Sequence, residues 1–326
     1  ALGPGLLVAM AIVVVGSILW YRAFGRSRAS RESALLDAFR VRENERVVGA
    51  AAAAIRRDGV LHPLVLTRHN ASPTKAAELV HLGDGLLHAG GHLHVVRLRS
   101  DAAGATTPLV WDRILAPEDP APKSTLTLTE ADAADVAGHI RAIGIDLLIA
   151  ELPPATRRTD QFVEDVRWVA DHAGCDTAFV RYRGLADIDH IVILGAGGPA
   201  DALKVALAER LARTEEAHLS LVHVVPEAAS DSQVGFLAEY QRRLAALCRV
   251  PVDIRTPRAP NLMTGIRTAV GADADLVIIG TPLETGTGFG LADRIMETVD
   301  TPVMAVGVRA YERSTLRRRL LQRVMY

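Results

Sequence analysis

Twice along this chain, short β-branched and aliphatic runs alternate with longer stretches whose apolar residues recur at helical spacing. That alternation admits little besides β–α–β units on a parallel sheet. The second copy is the plainer. A strand from His190 runs into the glycines Gly195, Gly197 and Gly198, and an amphipathic helix over 199–214 follows with Pro199 in its first turn, where the missing amide costs nothing. Strands are then expected at 218–226, 251–257, 275–282 and 301–308, separated by helices at 233–248, 261–270 and 291–299. The first copy repeats the order more weakly: strands at 62–70, 91–100, 145–153 and 176–184, with helices at 73–88, 132–143 and 160–172. Between Asp101 and Thr129 the chain is rich in Pro, Ala and Thr, so a loop and one irregular strand are expected where the second copy has a helix.

The 326 residues suit about two domains at roughly 150 residues each, divided at a short polar link near 184–189. The balance of 37 basic against 38 acidic residues supplies no basic face for nucleic acid. Cys175 and Cys248 lie too far apart for a disulfide framework or a paired-cysteine zinc site.

Ahead of the repeats, Leu6 to Tyr21 is uncharged and almost wholly apolar. With the residues before it, the run approaches the about 20 that span a bilayer. Trp20 and Tyr21 fall where an interfacial aromatic belt belongs, and Arg22, Arg26, Arg28 and Arg31 follow. Residues 1–22 therefore read as a transmembrane helix in the cell membrane, with everything after residue 22 in the cytoplasm. Because the chain opens on Ala1 within this apolar stretch, it reads as the tail of a longer polypeptide. Residues 23–59, rich in Ala, Arg and Glu, make a helical juxtamembrane connector. Residues 310–326 carry Arg313, Arg317, Arg318, Arg319 and Arg323 opposite Leu316, Leu320, Leu321 and Val324, a basic amphipathic tail suited to an anionic membrane surface.

The run Leu221 to Pro226 (LVHVVP), the strand Asp275 to Gly280 (DLVIIG) with its glycine-containing loop, and the last strand Thr301 to Val306 (TPVMAV) resemble the universal stress protein family. The resemblance covers 187–309, and 60–186 as a degenerate copy. It implies two tandem α/β domains of five parallel strands each. Tandem copies behind a last apolar helix and the segment Trp20 to Arg28 (WYRAFGRSR) are similar to the carboxy-terminal end of amino acid permeases of the amino acid, polyamine and organocation superfamily. That implies a regulatory region with the transporter body upstream in the same polypeptide, and pairing of the two copies within one chain or as a homodimer.

Nucleotide-binding members of the family cradle phosphates on a glycine loop after the fourth strand. Here Gly280 and Thr281 open that loop, but Leu283 replaces its second glycine and the loop is a few residues short; Gly286, Gly288 and Gly290 supply an anion nest in a shifted register. The resemblance thus implies ATP or AMP as the second domain's ligand, whereas the equivalent strand of the first domain ends in Glu151-Leu152-Pro153-Pro154 without a glycine loop. Gly195, Gly197 and Ala200 also satisfy the dinucleotide pattern G-x-G-x-x-A, although the acidic residue that should close the next strand is displaced to Glu227. The alternatives are therefore an NAD-binding gating domain of an ion transporter, or a membrane-tethered nucleotide-binding stress protein with no transport role. His88, His92 and His94 cluster around the second strand of the first copy, with His92 and His94 on one face and no further metal ligand indicated from elsewhere, and Asp187, Asp189 and His190 lack a nucleophile motif. No catalysis is expected.

Overall fold

The computed structural model describes residues 32–56, 61–68, 71–87, 91–99, 125–152, 161–185, 187–195, 197–198, 200–281 and 291–308. The expected transmembrane helix, the basic tail and the loop glycines Gly286, Gly288 and Gly290 lie outside them. Among the described residues, no helix is long and apolar enough to cross a membrane. The connector holds helix α1 (Glu32–Arg56). Its residues up to Arg46, which pairs with Glu43 at 3.7 Å, belong to one unit, and Val47–Thr315 form a second.

The second unit is built on a ten-stranded sheet. Its first half contains β1 (Pro63–Thr67), β2 (His92–Leu98), β3 (Thr125–Ala131), β4 (Leu147–Glu151) and β5 (Asp176–Arg181) in the order β3-β2-β1-β4-β5. The second half contains β6 (His190–Leu194), β7 (His218–Val222), β9 (Val252–Arg255), β11 (Leu276–Gly280) and β12 (Val303–Gly307) in the order β12-β11-β6-β7-β9, the same winding met from the other side. Pairing is parallel within each half. The halves join at β5 and β12, which run antiparallel from Thr177 opposite Gly307 to Arg181 opposite Val303.

Two short strands, β8 (Val225–Pro226) and β10 (Arg258–Ala259), pair beyond the sheet. The expected single strand over 218–226 is therefore broken after Val222. Val225 donates to Pro257 O at 3.0 Å and Glu227 to Ala259 O at 3.1 Å, so this stretch follows the segment after β9 out of the sheet. The expected irregular strand of the first half is instead regular: β3 pairs with β2 in parallel register from His92–Thr125 to Leu98–Ala131.

Strand residues alternate between two cores, as a period of two requires on a sheet covered on both faces. On one face, Val65, Ile149, Val180, Ile193, Ile278 and Met304 pack under α2 (Pro73–Gly85), α5 (Ala200–Thr214) and α6 (Asp231–Ala245), joined by Val47, Ala51 and Ile55 of α1. On the other, Leu66, Leu148, Phe179, Val192, Val277 and Ala305 pack under α3 (Ala133–Ile143), α4 (Gln161–Ala173), α7 (Leu262–Val270) and α8 (Leu291–Thr298). Local sequence sets the helix starts. Ser230 and Gln233 form a reciprocal capping box on α6, and the Asn261 side chain accepts from Thr264 N–H at 2.9 Å on α7. Across the seam α2 meets α5, where Arg210 donates to Leu86 O at 3.4 Å.

Candidate functional site

In an open parallel sheet the strand carboxyl ends form a crevice where the winding reverses. This sheet has one such point in each half, between β6 and β11 and between β1 and β4.

The first of these gathers the described glycines singled out by sequence. Gly195 follows β6, and its amide donates to Val222 O at 2.8 Å. Gly197 turns the chain at φ 70°, which favours glycine. Gly280 ends β11, where a Cβ would come within 3.0 Å of Ala200 Cβ, and Thr281 donates to Val306 O at 2.8 Å. Gly195, Gly197, Gly280 and Thr281 thus share one crevice.

Three residues that sequence reasoning missed fill its floor. Asp201, in the first turn of α5, accepts from Gly197 N–H at 2.9 Å and from the Tyr240 hydroxyl at 3.0 Å. Its other oxygen lies 2.6 Å from Lys204 Nζ, which also donates to the carbonyl of Leu194. Lys204 is 0% exposed. A helix amino terminus attracts an anion, and here the chain supplies its own: the Gly197 amide that a pyrophosphate would need is engaged by Asp201. This part of the crevice does not fit a dinucleotide. Asp201 and Lys204 stand at the i and i+3 positions of the stripe continued by buried Val205 and Ala208, so helical periodicity was the signal that could have found them. His223 lies beside them; burial pushes its imidazole below its ordinary range, Asp201 acts against that shift and Lys204 adds to it.

The first half presents different chemistry at the equivalent place. Glu151, at the end of β4, meets Lys75 Nζ of α2 at 3.4 Å and Arg68 Nε, just past β1, at 3.7 Å. The Arg68 guanidinium rests 4.6 Å above the Phe162 ring. Where the second half has Gly195 and Gly280, the first has Arg68 and Glu151.

Elsewhere, His92 and His94 share a face as their spacing requires, with ring centroids 4.5 Å apart, and α3 adds a third ring, His139 Nε2 lying 3.5 Å from His94 Nδ1. Burial and the neighbouring His92, His139 and His62 push His94 down to about 4. No group of three metal-ligating side chains poised for an ion occurs among the described residues. His190 departs from its sequence neighbours Asp187 and Asp189: Nδ1 is 3.3 Å from Asp273 and Nε2 is 2.8 Å from Ser220 Oγ. The order Asp–His–Ser has hydrolase spacing, but Ser220 is only 2% exposed inside β7 and closed to a substrate. The histidine here ties β6 to its neighbour strand and to the turn before β11. At the opposite, amino-terminal end of β11 and β12, a cavity of about 680 Å³ is lined by Asp187, Arg267, Asp275, Glu297 and Asp300 among others.

No protein-family model and no curated protein sequence matches the chain. Solved structures do. The cytoplasmic domain of a prokaryotic cation chloride cotransporter is similar over 78% of this chain and 97% of its own, at 17% identity and a TM-score of 0.54. A universal stress protein from Archaeoglobus fulgidus is similar over 76% of this chain and 96% of its own, at 9% identity and a TM-score of 0.51. The described residues therefore have a universal-stress-protein-like fold.

Proposed function

We propose that this chain is the cytosolic regulatory region of a membrane transporter. The observation that carries the reading is the likeness of its fold to the cytoplasmic domain of a cation chloride cotransporter over 97% of that domain's chain. It is joined by the apolar run Leu6 to Tyr21 and the arginines after it. Helix α1 is unbroken from Glu32 to Arg56, and Val47, Ala51 and Ile55 are built into the sheet core. Two solute classes compete: the segment Trp20 to Arg28 favours an amino acid, and the fold likeness favours chloride with a cation.

Sensing of an adenine nucleotide falls to the second half, through Gly280, Thr281 and the loop glycines Gly286, Gly288 and Gly290. Entry at Gly195 and Gly197 is opposed by Asp201, which also disfavours the NAD-binding alternative. A tethered stress protein without transport is the remaining competitor. Reconstituting the native protein in vesicles and comparing chloride and amino acid flux before and after Ala51→Asp tests the reading. A changed flux at equal protein content supports it and names the solute; identical flux of every solute counts against it.

A further inference from the structure

We propose that the amino-terminal end of β2, on the face covered by α3, holds a seat for one divalent transition-metal ion of the zinc or copper class, with His94 and His139 as its two protein ligands and His92 beside them.

The spacing is the first ground. His94 Nδ1 and His139 Nε2 lie 3.5 Å apart. Two imidazole nitrogens, each about 2.1 Å from one tetrahedral ion, stand about 3.4 Å apart, whereas a hydrogen bond from a ring N–H is expected near about 3.0 Å. The pair therefore has the separation of two ligands on one ion and is long for a direct bond. Its rings are inclined at 70°, so the two nitrogens approach from separate directions. The second ground is the company. Four of the chain's 11 histidines meet here: the His92 ring lies 4.5 Å from that of His94, and His62, just before β1, acts on His94 electrostatically. A donor set built on imidazole selects zinc, copper or nickel over magnesium or calcium. His92 Nε2 is held 2.7 Å from Thr127 Oγ1, and Asp146 stands 3.9 Å from His62 Nδ1, partners of the kind that orient histidines around a metal. With His92 so held, two nitrogens converge and water completes the coordination. Third, the frame fixes both ligands. His94 is paired with Leu64 of β1 on one side and Thr127 of β3 on the other, and His139 sits between buried Val136 and Ile140 of α3. The nearby cation on α3, Arg141, is committed to His172 O at 2.9 Å. His92, His94 and His139 are half-buried, open enough for an ion to enter from solvent. An ion bound there clamps α3 to β2.

The test uses the full chain in detergent, without a polyhistidine tag and stripped by a chelator, titrated calorimetrically with zinc chloride. Saturable binding is expected, its dissociation constant raised at least tenfold by His94→Gln and by His139→Gln and unmoved by His218→Gln in the second half. Magnesium chloride under the same conditions is expected to give no saturable heat. A second measurement needs no variant to fold. Electron paramagnetic resonance of the unaltered chain with less than one equivalent of copper(II) is expected to show nitrogen couplings from at least two imidazoles. Zinc binding that is absent, or that is as tight in either His94→Gln or His139→Gln as in the unaltered chain, overturns the proposal. So does a copper spectrum with fewer than two nitrogen ligands. None of these outcomes depends on the transporter reading.

Discussion

Placing an ammonium and a carboxylate together beneath α5 is favourable only while both are present, since each alone would be a buried, uncompensated charge. Lys204→Met is therefore predicted to cost about 3–5 kcal/mol in urea unfolding, and the double variant Lys204→Met with Asp201→Asn to recover most of it. Equal losses in the single and double variants would show that the two side chains are not coupled. His94 gives a prediction of opposite character. Burial and then the surrounding histidines hold its folded pKa near about 4, below its ordinary 6.5, so the unfolded chain takes up the proton first. Stability is then complete above pH 6.5 and declines as pH falls from there toward 4. Urea midpoints measured across that range should show this slope, and His94→Gln should flatten it.

At the scale of elements, α7 crosses β8 and β10 so closely that a Cβ at Gly265 would overlap Val224 and approach Ala259 Cβ to 2.8 Å. Gly265→Ala, which intrinsic helix propensity alone would favour, is predicted to destabilise by about 1–3 kcal/mol because the overlap lies inside a packed interface. A neutral or stabilising result in thermal unfolding would mean that the helix has room to move. Most elements were legible in the sequence because their periods are long and regular: α5, α7 and α8 begin and end within a residue of the apolar stripes that announce them. The departures have physical causes. The run 218–226 carries no glycine or charged residue at the exit after Val222, which is set by pairing with a segment more than thirty residues later. β3 was obscured by Thr-rich composition, although alternating Thr and Leu is good strand sequence once β2 lies beside it. At the site, the glycines were visible as turn formers, whereas Asp201 and Lys204 were hidden by the habit of assigning charged residues to the surface. Their place on the apolar stripe was the contrary sign.

At the scale of the whole molecule, the same β3-β2-β1-β4-β5 winding occurs twice, and the last strand of each half is consumed by the other. Among the described residues the ten-stranded sheet ends at β3 and β9, and β5 pairs with β12 within one chain. The two crevices have diverged within this frame, one carrying the Asp201–Lys204 pair and the other Glu151 between Lys75 and Arg68. Two unlike crevices on one continuous sheet accompany the regulatory role proposed above. The most direct test of that role is to follow the native polypeptide in fractionated cells with an antibody to the sheet unit. The account predicts a band in the membrane fraction that resists an alkaline carbonate wash; a band confined to the soluble fraction would contradict it.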